Sequence, residues 1–150
     1  MNGPLQGFRY VLLLAAAWAI AMPACAADVG RIKVARGPVT IERAGATIPG
    51  TVGMRLQTSD TIRTGDDASV GITMDDDSLL SAGPNTVLVL DHYAFDSTTN
   101  QGRLDAALNK GTLSVISGRI AKQSPDAMTV RTPTAILGVR GTTFAVSVDE

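Results

Sequence analysis

Apolar and polar residues alternate along most of this chain, and the alternation predicts short β-strands. Ile32-Lys33-Val34 and Val39-Thr40-Ile41 are two such runs, split by Gly37-Pro38. Gly45 and the Pro49-Gly50 pair break the chain next. Leu56 and Ile62 then look inward, and Gly65 ends that run. Val70, Ile72 and Met74 alternate with Gly71 and Thr73. Leu79-Leu80 and Val87 to Leu90 follow, separated by Gly83-Pro84-Asn85. A polar loop is expected after Leu90, and beyond it Leu104, Ala106 and Leu108 share a face. Leu113 and Val115, with Ile116 a further candidate, come after Gly111, and Met128-Thr129-Val130 leads into the closing segment. Turn signals spaced this closely mark a sandwich, roll or solenoid. The expected fold is therefore all-β: a short-strand two-layer roll or sandwich, or a β-solenoid-like stack.

The closing segment, Thr132 to Val146, alternates apolar residues with enforced bends. Pro133 lacks an N–H and fixes φ, so it opens or edges a strand. Gly138 and Gly141 flank Val139-Arg140 and permit turns or bulges there. Phe144, Val146 and Val148 then alternate with Ala145, Ser147 and Asp149, as a half-buried strand does. An echo links Asp60 to Gly65 with Thr129 to Pro133, but two instances do not make a repeat.

Tyr10 to Met22 is an unbroken apolar run after a single positive residue, Arg9. It is short for a permanent bilayer span. Ala24 and Ala26 fit the small-residue pattern of signal peptidase, so residues 1–26 are expected to be a signal peptide cleaved after Ala26. The mature domain would then be residues 27–150, one domain with one core and no transmembrane segment. Cys25, the one cysteine, would be lost with the leader. The alternative is cleavage before Cys25 and a lipid anchor on its sulfur. Met22 and Pro23 are poor lipobox residues, which favours the cut after Ala26. Export to the periplasm or beyond follows from either.

Composition narrows the partners. The formal net charge is −1, and losing Arg9 makes it one unit more negative. No Lys/Arg cluster is present, which argues against nucleic acid. After the leader the aromatics are Tyr93, Phe95 and Phe144, so the core must be Val, Ile and Leu in thin layers. That favours stacked short strands over a large-cavity barrel.

Candidate chemistry is sparse. His92 follows Asp91, but adjacent strand residues point to opposite faces, and no Gly-x-Ser-x-Gly turn supplies a nucleophile. A solvent-exposed loop histidine is the expected reading. Asp75-Asp76-Asp77 is the densest acidic cluster. Its spacing does not match a calcium loop, so a charged hairpin turn is expected. Arg140 either pairs internally with an aspartate or a backbone carbonyl, or presents its fork to a partner. No catalytic residue, metal ligand or cofactor site is assigned, and no enzyme activity is expected.

In order along the chain, several elements resemble the FecR domain family. They are Val34-Ala35-Arg36-Gly37-Pro38-Val39, the Gly53 to Leu56 turn, Ser59 to Gly65, and the alternating strand with its acidic turn, Ile72 to Leu80. Pro84-Asn85-Thr86, Lys110-Gly111-Thr112-Leu113 and the terminal Thr132 to Val146 complete the pattern. The structural signature comprises Thr132, Pro133, Gly138, Arg140, Gly141, Thr142 and Phe144, with Arg140 also the candidate partner contact. Asp77 departs from the family's usual Asp-Gly-Ser turn. The resemblance implies an extracytoplasmic β module. In its best-known setting this is the periplasmic half of a membrane-bound sigma-factor regulator that answers an outer-membrane siderophore receptor. With a leader in place of the cytoplasmic segment and helix, and an end at Glu150, that role is not expected to carry over whole. Three readings follow: a module binding another protein or a cell-envelope component, a structural or assembly scaffold, and a periplasmic sensor linked to sigma-factor and iron-uptake regulation.

Overall fold

A computed structural model describes residues 26–140 and 143–149. The leader, Cys25, Gly141 and Thr142 lie outside the described residues. The fold is all-β. Its strands are β1 (Asp28–Arg36), β2 (Val39–Arg43), β3 (Ala46–Pro49), β4 (Arg55–Gln57), β5 (Thr61–Thr64) and β6 (Ser69–Met74). They continue with β7 (Leu79–Ala82), β8 (Val87–Phe95), β9 (Gly102–Ile116), β10 (Met128–Arg131), β11 (Ile136–Gly138) and β12 (Thr143–Val148).

The strands form two leaves joined along β9. One leaf, here sheet A, runs β4-β1-β6-β7-β9-β12. The other, sheet B, runs β3-β2-β5-β8-β9-β10-β11. Consecutive strands continue one another across a bend. Along one side of β9, β7 pairs with its C-terminal half and β8 with its N-terminal half. Likewise β6 and β5, then β1 and β2, form the next bent layers outward. The structure is thus a stack of L-shaped strands.

The bends sit one above another and are hydrogen-bonded as a column. Gly65 N–H donates to the Pro38 carbonyl at 2.9 Å, and Asn85 N–H donates to the Gly65 carbonyl at 3.0 Å. Thr64 Oγ1 donates to the Gly83 carbonyl at 2.6 Å and accepts from Thr86 N–H at 2.9 Å. Thr86 Oγ1 in turn accepts from Thr112 N–H at 3.1 Å. Buried threonines therefore satisfy backbone groups that the bends remove from the ladders. Gly111 makes the bend in β9: its φ is +91°, and an added Cβ would sit 2.5 Å from Thr86 Cα. Across it the inward parity flips, from Leu104, Ala106 and Leu108 to Leu113 and Val115.

The core fills the space between the leaves. Ile32, Ile41, Leu56, Ile62, Ile72, Leu80, Leu88, Leu90, Leu104, Leu108 and Leu113 are fully buried. Leu56, Ile62, Val70, Ile72 and Met74 face inward, as their alternation predicts. Ile116, read as a further inward candidate, points outward and is 44% exposed.

Two local expectations are corrected and one element is added. Gly45 and Pro49-Gly50 bound a strand, β3, and do not merely break the chain; Ala44 and Gly45 form the tight turn that pairs it with β2. The polar run after Leu90 is strand to Phe95, so His92 lies on β8 and not in a loop, though it is exposed. Its polar outer positions are tolerated because β9 pairs it as far as Phe95. A short helix, α1 (Arg119–Gln123), and a 3-10 turn at Pro125–Ala127 follow β9. The helix start is held from afar: buried Asp76 accepts from Ile120 N–H at 3.2 Å, and its carbonyl accepts from Arg119 N–H at 2.8 Å.

Candidate functional site

The outer faces of the two leaves differ in kind. On sheet B, outward side chains are laced by ion pairs. Arg63 Nε lies 2.6 Å from Glu42 Oε1, Arg103 Nε lies 2.6 Å from Asp105 Oδ2, and Arg131 pairs with Asp91. Thr129 Oγ1 also donates to Asp105. Burial pushes the Asp105 carboxyl up, but the hydrogen bonds from Arg103 and Thr129 outweigh it and hold the group below the ordinary carboxylate value. His92 stands opposite Asp105 in the same network.

Among the described residues, the outer face of sheet A carries no ion pair on β6, β7, residues 111–116 of β9 or β12. Register sets its rows. Thr73, Leu79, Ile116 and Thr143 lie side by side. Gly71, Ser81, Ser114 and Ala145 form the next row, and Thr112 and Ser147 pair in a third. These positions are half-buried or exposed, with Leu79 40% and Ile116 44% accessible. The result is a field of small side chains, most of them hydroxyls, and two aliphatic side chains. On its β1 side it is bordered by Arg31, Val34 and Arg36. On its other side it runs to β12, which among the described residues pairs with β9 alone and is an open edge. Uncharged, partly apolar surface that reaches an unpaired strand is cheap to desolvate and has unsatisfied backbone groups to offer.

The acidic cluster divides by role. Asp76 is wholly buried, and its carboxylate accepts from Ser78 Oγ at 2.7 Å and from the N–H groups of Ser78 and Ile120, both at 3.2 Å. Its own N–H donates to Tyr93 Oη at 2.9 Å. Burial, then the nearby Asp76 charge, pushes the Tyr93 phenol well above its ordinary range. Asp77 has φ +67°, a left-handed conformation that Asp tolerates and glycine adopts more freely. The three carboxylates do not converge, and among the described residues no group of three His, Cys, Asp or Glu is placed to hold a metal.

The terminal signature is spread over two open edges. Thr132, Pro133 and Ala135 form the turn between β10 and β11, closed by Thr132 N–H donating to the Ala135 carbonyl at 2.8 Å. Gly138 ends β11 outside the left-handed region, and a Cβ there would meet nothing within 4 Å, so neither backbone angle nor space demands glycine at this position. Arg140 pairs with Asp126 at 2.7 Å, and both side chains are largely exposed. Phe144 faces inward from β12 and is half-buried. A groove of about 410 Å³ lies where β10 and β12 end, lined by Pro133, Ala135, Leu137, Val146 and Val148.

Other motif positions are scaffold. Ser59 has φ +73°, and buried Asp60 receives a two-point hydrogen bond from Arg43 at 2.8 and 2.7 Å. Asn85 has φ +50° at the stacked bend. The recurring motif residues thus serve turns, bends and buried pairs.

Bent strands stacked on buried threonine and glycine corners define an all-β scaffold whose free chemistry lies on one face and its edges. The family model described as FecR protein matches residues 60–150, and the chain belongs to this family. The FecR family is associated with the cell envelope. Among the described residues no helix is long and apolar enough to cross a membrane. Comparison with curated proteins and with solved structures finds no match.

Proposed function

We propose that this protein is an exported, non-enzymatic FecR module that presents the outer face of sheet A to another protein or a cell-envelope component. One observation carries the reading: Thr73, Leu79, Ser81, Ser114, Ile116 and Ala145 form an uncharged field, whereas the outer face of sheet B satisfies its charges internally. Desolvating paired charges costs more than it returns, whereas Leu79 and Ile116 shed water at a gain and the small hydroxyls around them can be re-paired by a partner. The leader-like residues 1–26 and the family's envelope association support placement outside the cytoplasm.

The test uses tagged protein captured from the envelope fraction. Ser114→Glu puts a charge in the middle of the field, and Arg63→Ala removes a pair on sheet B. The reading expects the co-purifying component to be lost with Ser114→Glu and retained with Arg63→Ala. Retention with Ser114→Glu and loss with Arg63→Ala would overturn it. N-terminal sequencing of the same preparation should begin at Ala27. An acylated Cys25 would replace that with a lipid-anchored form, and an intact Met1 would remove export.

A further inference from the structure

The open edges of the two sheets are finished differently. β3 is four residues long and ends in Pro49. β4 is three residues and begins with Arg55, and β11 is three residues. Short length, proline and charge are the ordinary ways an edge is kept from pairing. β12 has none of them. Its six residues, Thr-Phe-Ala-Val-Ser-Val, carry no charge and no proline, and its register with β9 is unbroken. Regular uncharged strands of this length pair readily with other strands. Phe144, Val146 and Val148 also remain half-buried on the inner face, so a neighbouring strand would complete their cover.

We propose that β12 is an interface strand that pairs antiparallel with β12 of a second copy of this chain. Charge favours this occupant and this direction. The strand is bracketed by Arg140 before it and Asp149 after it, both exposed; the one pair Arg140 makes, with Asp126, is itself solvent-exposed on both sides and exchanges at little cost. A two-fold axis brings the Asp149 end of each copy to the Arg140 end of the other, so opposite charges meet at both ends. A parallel pairing would set like charge beside like. Inward side chains must stay inward, which is satisfied when the axis passes at Ala145 and Phe144 stands opposite Val146 of the partner subunit. Sheet A then continues from one copy into the next, and the two uncharged outer faces become one. The inference goes beyond the proposed function and does not depend on it.

Analytical ultracentrifugation of the purified protein tests the inference. The full chain is 15.6 kDa and the processed chain is lighter by its leader, and the expected species has twice the mass of the monomer so processed. Ala145→Glu places two carboxylates face to face at the axis and should yield a folded monomer by circular dichroism. Ala145→Cys in a Cys25→Ala background should form a disulfide-linked dimer under mild oxidation. A monomeric wild type would overturn the inference, as would a dimer that survives Ala145→Glu or one that Ala145→Cys cannot cross-link. A monomer that takes up an added extended peptide along β12 would assign the edge to a foreign strand instead. A monomer that still captures its envelope component through Ser114 would sink this inference and leave the proposed function standing.

Discussion

Removing the Asp76 carboxylate should destabilise the protein more than any other change in the acidic turn. In Asp76→Ala, Ser78 Oγ, Ser78 N–H and Ile120 N–H lose their acceptor in a place with no solvent exposure. Hydrogen bonds to a charged group contribute about 1.5–3 kcal/mol each, and the two at 3.2 Å belong at the low end. Relief of the buried charge offsets part of the loss. The net cost is about 3–4 kcal/mol, a large share of the roughly 5–15 kcal/mol that holds a domain together. At this chain length it corresponds to a fall of roughly 10–15 °C in the melting midpoint. The mechanism is anchorage: the carboxylate ties the β6–β7 turn to the start of α1. Asp75→Ala is the control, because Asp75 is exposed, and it should stay within about 0.5 kcal/mol of wild type. Thermal and urea melts of both variants decide the matter. An Asp76→Ala midpoint within about 2 °C of wild type, or an equal loss for Asp75→Ala, would refute the anchorage.

Gly111→Ala should cost about 2–4 kcal/mol, because it combines φ +91° with a Cβ 2.5 Å from Thr86 Cα; a near-native urea midpoint would show that the bend in β9 relaxes freely. Phe144→Ala should cost about 1–2 kcal/mol, less than a fully buried phenylalanine, since its ring is half-buried at an edge; a loss above about 3 kcal/mol would mean that β12 is covered more fully than the single chain shows. Asp105 is depressed in the folded state, so its contribution is present above the ordinary carboxylate value of 3.8 and is lost as pH falls through the lower folded value. The stability gap between wild type and Asp105→Asn should therefore be constant near neutrality and shrink below about pH 4; a gap that widens on acidification would contradict the sign.

Much of the inward face was legible from alternation alone. Leu56, Ile62, Val70, Ile72, Met74, Leu104, Ala106 and Leu108 need only a period of two to be placed, and all are buried. What escaped depends on contacts distant in sequence. α1 is short and lacks a side-chain cap of its own; its anchor, Asp76, lies 44 residues before Ile120. β8 runs on through Asp91 and His92 because β9 pairs it and Arg131 neutralises Asp91, and neither is visible in a local window. The uncharged field was illegible for the same reason. Gly71, Ser81, Ser114 and Ala145 are unremarkable outward residues on four separate strands, and only the register makes them neighbours. The motif residues were legible as turns, but their meaning as a hydrogen-bonded column of bends required the stack itself.

The claim that sheet A is the working surface is tested most directly by site-specific photo-crosslinking in living cells. A photoreactive amino acid is placed at Ser81 or Ser114 on sheet A, and at Arg63 or Thr129 on sheet B. The account predicts discrete higher-mass adducts from Ser81 and Ser114, and none from Arg63 or Thr129. Adducts from Arg63 and Thr129, with Ser81 and Ser114 silent, would contradict it.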